Sequence, residues 1–232
     1  MSIVKAQIEK LRQVEETARA GGGQKRIDEQ HARGKLTARE RIENLLDPGT
    51  FVEIGLLGQH QCTDFGMEKN RPWGDGVITG YGKIDGRVVF LYSQDFTVLG
   101  GSMGQAHGQK IVSVTRMARH AGAPIVGLID SSGGRIQEGS GAYSMIFAEN
   151  VESSGVIPQI SAIMGNCAGG GVYSPALTDF IFMVEKTSQM FITGPLVIEE
   201  VTGQAIGSQE LGGAKIHSQI SGVADFVGQN EM

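Results

Sequence analysis

Apolar positions in the first twenty residues recur at helical spacing, with Ile3, Ile8, Leu11 and Val14 set among charges and the run stopped by Gly21, Gly22 and Gly23. This predicts an amphipathic helix over 3–20. Thr37 and Glu40 form a capping-box signature ahead of RIENLL, and the DPG at 47–49 closes that second helical segment. From Phe51 the apolar period drops to two: FVEIGLL is followed by DGVITGYGKIDGRVVFLYSQ, where Asp85-Gly86 between alternating apolar residues predicts a hairpin. GQKIVSVTRMARHAG (108–122) reads as a helix ending at Gly122. PIVGLID (124–130) and IPQISAIM (157–164), short runs rich in Val and Ile bounded by Pro and Gly, read as buried strands around a helix near 141–153. FIFMV (180–184), QMFIT (189–193) and GVADFV (222–227) supply further strands, with helical GPLVIEEV and SQELGG segments between them. The expected architecture is one α/β domain over 1–232, a helical extension at 1–50 and a core at 51–232, without linker, low-complexity stretch or fixed-period repeat.

Composition narrows the function classes. The chain has 232 residues, 35 Gly and a net charge of -5, which fits a globular domain dependent on its loops. Its Lys and Arg form no basic stripe, which argues against nucleic acid as a partner. No apolar run approaches the roughly 20 residues of a membrane helix, and MSIVKAQIEK lacks the apolar core of a signal peptide, so a cytoplasmic location is expected. Cys62 and Cys167 stand far apart without metal-ligand spacing, which predicts two reduced thiols and no metal site.

Two glycine-rich segments carry the candidate chemistry. SSGGRIQEG (131–139) and GNCAGGGVYSPALTD (165–179) each follow a predicted buried strand. Such turns can bring backbone N–H groups to one point and so form an oxyanion hole, although ordinary strand-to-helix turns use the same residues. A competing motif is Gly100-Gly101-Ser102-Met103-Gly104, a literal GxSxG followed by Asp130 and His217 in hydrolase order. Against a triad, SQDFTVLGG separates the motif from its strand, and no neighbour singles out His217, His31, His60, His107 or His120. Cys167 lies in the second glycine segment without an adjacent base and reads as a buried filler. Arg135, Gln137 and Glu138 read either as substrate-orienting groups or as a structural cluster at a helix entry. Dinucleotide and P-loop signatures are absent.

In one order along the chain stand GGGQKRIDEQHARGKLTARERIENLLDPGTF, SQDFTVLGGS, SSGGRIQEG, CAGGGVYSPALTDF, MFITGP and ELGGAKIHSQISGVA. Together they resemble the biotin-dependent acyl-CoA carboxyltransferases, a family that includes propionyl-CoA carboxylase β subunits, the transcarboxylase large subunit and the α subunits of sodium-pumping methylmalonyl-CoA and glutaconyl-CoA decarboxylases. The resemblance implies a crotonase-like spiral of ββα units. It covers only the first of the family's two similar halves, so a C-terminal carboxyltransferase half should complete the site, in a homo-oligomer. It further implies a short acyl-CoA substrate of the propionyl-CoA or methylmalonyl-CoA class and carboxybiotin on a carrier protein. The N–H of Gly134 and that of Gly170 or Gly171 would hold the thioester oxygen, flanked by Gly133, Arg135, Gly169 and Tyr173. SSGGR here stands where many relatives carry SGGAR, which puts Gly134 at an alanine position. The basic segment at 34–41, with Lys35 and Arg39, is a candidate for the CoA phosphates, and Ser93 to Thr97 and Thr193 to Pro195 are candidate channel loops. A sodium-pumping decarboxylase component remains an alternative, and a non-catalytic CoA-thioester-binding or assembly module is the alternative of another class.

Overall fold

The computed structural model describes residues 3–139 and 141–232. The expected helical segment is three helices, α1 (Ile3–Arg19), α2 (Gln24–Ala32) and α3 (Ala38–Leu45). Met1 and Ser2, counted in the expected extension, lie outside the described residues. Thr37 caps α3 as its spacing predicts: its Oγ accepts from Glu40 N and the Glu40 carboxylate accepts from Thr37 N at 2.7 Å. The α1 stripe of Ile3, Ile8 and Leu11 remains exposed, so amphipathicity does not report packing against this chain.

Strands β1 (Val52–Ile54), β2 (Val77–Ile84) and β3 (Arg87–Gln94) form an antiparallel meander. Ile84 pairs with Arg87 across a two-residue turn. Asp85 and Gly86 both take positive φ there, at 50° and 76°, which matches the right-handed strand twist. The chain then alternates: α4 (Gln105–Ala121), β4 (Ile125–Ile129), α5 (Gly141–Ser153), β5 (Gln159–Ile163), the three-residue strand β6 (Asn166–Ala168), α6 (Tyr173–Ala176) and β7 (Phe180–Val184). Beyond come β8 (Gln189–Phe191), α7 (Pro195–Thr202), α8 (Ser208–Gly212), α9 (Ala214–Gln219) and β9 (Phe226–Gly228). The main sheet has the order β1-β2-β3-β4-β5-β7-β9, parallel from β3 onward, and β6 pairs in parallel with β8 in a small second sheet.

Strand alternation divides the core into two. Phe90, Tyr92, Ile125 and Ile129 face a cluster with Ile111 and Val114 of α4 and Ile146 of α5. Val89, Leu91, Val126 and Leu128 face Ala38 and Ile42 of α3 on the other side. Every residue of β4 is buried, as expected of a parallel strand covered on both faces. The consequence for function is positional, because β4 and β5 end side by side and deliver the two glycine segments to the same edge.

His107 lies inside this core. Burial pulls its imidazole down to about 3, so the ring is neutral, with Nδ1 against Asp75 O at 3.0 Å and Nε2 against Gln94 Nε2 at 3.3 Å. Its folded value lies below the ordinary 6.5, so the unfolded chain binds the extra proton between them. This contribution is fully present above pH 6.5 and falls by about 1.4 kcal/mol per pH unit on acidification toward 3. Denaturant titrations from pH 7 to 4 should show that slope, and His107→Gln should remove it; an unchanged slope in the variant would assign the acid lability elsewhere.

Candidate active site

The two glycine segments are bonded to each other. Ser131 N donates to Asn166 O at 2.7 Å, and both Met164 N and Gly165 N donate to Ile129 O. A Cβ placed on Gly133 would lie 3.3 Å from Ala168 O, so the loops touch at their glycines. Gly133 needs to be glycine for a second reason, its φ of 103°.

The GxSxG segment braces the first loop. Met103 N donates to Gly133 O and Arg135 N donates to Met103 O, both at 2.8 Å, while Ser132 N donates to Gly100 O at 2.9 Å. This bridge engages the groups on either side of Gly134 and turns the Gly134 N–H away from residue 103. Among the described residues that N–H has no acceptor. Across the gap, Gly169–Val172 form a single 3-10 turn whose N-cap residue, Ala168, makes no side-chain cap, so its leading N–H groups lack a partner within the turn. The helix that follows, α6, is one turn long. It supplies little of the axial dipole that a longer helix would add.

One side chain floors both loops. Cβ atoms placed on Gly134 and Gly170 would lie 3.3 and 3.2 Å from the Tyr143 ring, and one on Gly171 would lie 3.5 Å from its hydroxyl. Sequence reasoning missed Tyr143: an aromatic on a helix after a turn looks like ordinary core, and only the fold brings it under the glycines. Burial pushes the Tyr143 hydroxyl above the usual phenol range. The neighbouring Cys167 thiol is pushed up to about 12, also by burial, which keeps it a thiol rather than a nucleophile.

The remaining candidates divide into inner and outer positions. Tyr173 is 44% exposed beside the 3-10 turn, its ring edge-on to Phe147. The Arg135 guanidinium is buried, with four of its five N–H groups engaged: Nη1 donates to Asp75 and Glu138 at 2.6 Å, Nη2 to Ser102 O at 2.8 Å and Nε to Ser102 Oγ at 3.1 Å. It clamps the glycine loop from behind, and its charge is already paired with Asp75 and Glu138. Lys35 is 6% exposed; its ammonium donates to both oxygens of Asp130 at 2.9 Å and sits over the Phe96 ring. Arg39 holds Glu53 through both terminal nitrogens. The basic letters of 34–41 are thus mostly spent inside the protein. Ser93 and Thr97 are buried too, Thr97 donating to Asp95 at 2.6 Å, so neither faces an open channel. The hydrolase reading fails on placement: Ser102 serves Arg135, Asp130 serves Lys35, Gln30 and Arg41, and His217 serves Met190 O and Ser221. No group of three or more His, Cys, Asp or Glu able to hold a metal occurs among the described residues. No described helix is long and apolar enough to cross a membrane.

Residues 29–232 match the family model described as carboxyl transferase domain. The chain is 56% identical over its whole length to methylmalonyl-CoA decarboxylase subunit alpha of Veillonella parvula, covering 46% of that protein. It is 57% identical to the mitochondrial propionyl-CoA carboxylase beta chain of Homo sapiens over 97% of this chain and 42% of that one. In three dimensions it superposes on transcarboxylase 12S, solved with methylmalonyl-coenzyme A and methylmalonic acid bound, with a TM-score of 0.97 and 48% identity over all of this chain and 45% of that one. The chain therefore spans less than half the length of the relatives it matches, and its fold is the crotonase-like one of those carboxyltransferases. On the family match over 29–232 and these identities, the chain belongs to the carboxyl transferase domain family.

Proposed function

We propose that this chain supplies the acyl-CoA half of a carboxyltransferase site, in which a carboxyl group moves between carboxybiotin and the α-carbon of a short acyl-CoA of the propionyl-CoA or methylmalonyl-CoA class. The observation that carries this reading is the pairing of two sets of backbone donors, the Gly134 N–H, which has no acceptor among the described residues, and the leading N–H groups of the Gly169–Val172 turn, which have no side-chain cap, held over Tyr143 by loops that touch at Gly133 and Ala168. Loss or gain of a carboxyl at the α-carbon moves charge onto the thioester oxygen. Fixed N–H donors stabilise that charge without reorganisation, which accounts for a site lacking any His or carboxylate dyad.

The acidic end of coenzyme A fits a cleft other than the one read from sequence. Arg26 and Arg33, both exposed, border an opening of about 310 Å³ with Glu29, Phe96, Leu99 and Gly100, which leaves it a net positive rim, and Gly100 adjoins Ser132 of the glycine loop. Charge complementarity favours these two arginines over Lys35 and Arg39, whose charges are already paired. Open space around a Cβ position at Gly169 and the exposed Tyr173 and Leu177 leave room for a group arriving from a C-terminal carboxyltransferase half. When bound there, carboxybiotin on its carrier supplies or accepts the carboxyl group; this chain's residues bind the thioester and hold its oxygen. Assembly into a homo-oligomer accords with the hexamer described for transcarboxylase 12S.

The test is made on the enzyme assembled with its C-terminal half and a biotinylated carrier. A valine at Gly170 would drive branches into the Tyr143 ring, already 3.2 Å from a Cβ there. Gly170→Val should lower carboxyl transfer by about 10²-fold or more with the fold retained by circular dichroism. Unchanged turnover would sink the assignment. Saturable binding of propionyl-CoA without any transfer in the assembled wild type would instead mark a thioester-binding module.

A further inference from the structure

Tyr143 occupies a position that the chemistry of the reaction does not by itself require. It projects from α5 and is 8% exposed, and its ring lies within contact distance of Cβ positions on both Gly134 and Gly170, at 3.3 and 3.2 Å. These two residues belong to different loops, delivered by different strands. The ring meets the Cβ positions of both at the level of the donors, beyond the Ser131–Asn166 and Gly133–Ala168 contacts at the base. Phe147, one helical turn further along, stacks on it at 5.9 Å between centroids with an interplanar angle of 23°, and so fixes its tilt.

The hydroxyl is the second unusual feature. It is buried without a hydrogen-bond partner among the described residues, as is Gln94 Oε1. Both residues line a small space of about 20 Å³ together with Met103, Ile111, Ile129, Ser174 and Cys167. That volume matches a single water, and a phenol donor facing an amide oxygen acceptor gives such a water two polar partners. The ring therefore borders both the glycine donors and this small, mostly apolar space.

We infer that Tyr143 is a positioning residue of this site: its ring is the spacer that fixes the distance between the Gly134 N–H and the Gly170 N–H. The inference rests on the proposed function for its catalytic meaning, but the spacing itself is a property of this chain. A smaller side chain lets the two loops approach or tilt. Misplacement of a catalytic donor by about 1 Å costs on the order of 10²-fold in rate, whereas ground-state binding of a large cofactor ester depends on many other contacts.

Two variants separate the spacer from a general structural role. In the assembled enzyme, Tyr143→Leu should lower kcat by about 10-fold or more and leave KM for propionyl-CoA within about threefold. Tyr143→Phe, which keeps the ring, should restore kcat to within about threefold of wild type. Independently of turnover, glycine-selective 15N spectra of this chain should show the Gly134 and Gly170 amides shifting together in Tyr143→Leu and returning in Tyr143→Phe, while exposed Gly155 stays fixed. A Phe variant as impaired as Leu would overturn the spacer and assign the function to the hydroxyl. A rise in KM with kcat held would make Tyr143 a substrate wall instead. If the glycine amides shift as expected while the wild-type assembly transfers no carboxyl group, the spacing stands and the proposed function falls; if the amides do not move, the spacer itself is wrong.

Discussion

Asp130→Ala should destabilise the fold by about 3–5 kcal/mol, the cost of leaving a buried charge without its partner. Asp130 has no exposure and accepts from Lys35 Nζ at 2.9 Å through both oxygens, from Gln30 Nε2 at 2.8 Å and from Arg41 Nη2 at 3.0 Å. Asn166 N also donates to it, at 3.3 Å, so one carboxylate ties α2, α3 and the segment between them to both glycine loops. Arg41 would keep Glu231, at 2.7 and 2.8 Å. Lys35 would keep only the Phe96 ring, 4.5 Å from its ammonium. Denaturant unfolding checks this, and the double variant with Lys35→Met should recover part of the loss because the unpaired cation is gone. A change below about 1 kcal/mol would mean that water reaches Lys35 once Asp130 is removed.

The second large effect concerns two adjacent glycines that look alike as letters. Gly133→Ala forces a Cβ onto a backbone at φ 103°, 3.3 Å from the carbonyl of Ala168. Such a conformation costs a non-glycine residue about 1–3 kcal/mol, and the loop relieves it by moving the neighbouring Gly134 N–H. In the assembled enzyme kcat should fall by about 10²-fold. Gly134→Ala meets only the milder obstacle: its φ lies outside the left-handed region, and its Cβ would press on the Tyr143 ring at 3.3 Å, which a few tenths of an ångström of side-chain movement relieves. Turnover within about threefold of wild type is expected there. Equal losses at both positions would be evidence that bulk anywhere in the loop, rather than backbone conformation at Gly133, governs the site.

Much of the architecture is legible in periodicity. The hairpin at Asp85-Gly86, the Thr37 capping box, helix 141–153 and the strands of the main sheet follow from local rules that act over two to four residues. Strand β6 is not legible in this way, because Asn166–Ala168 extends only by pairing with Gln189–Phe191 across the fold. Nor is α2, where the charged letters of Gln24–Ala32 give no apolar stripe.

The sequence by itself determined the alternation of strand and helix, the two glycine segments that follow β4 and β5, and the resemblance that points to carboxyl transfer, because each depends on local pattern or on the identity of letters in order. Tertiary structure decided which charges remain available. Lys35 and Arg39 read as cations available to an acidic ligand until Asp130 and Glu53 arrive beside them from 95 and 14 positions away, and Asp75, 60 positions from Arg135, ties that side chain into the protein rather than toward a substrate. It also decided that the glycine donors lie over Tyr143 and that Gly133, rather than Gly134, has the backbone conformation that disfavours a side chain. Both outcomes depend on contacts between segments remote in sequence, and such contacts leave no periodic trace along the chain.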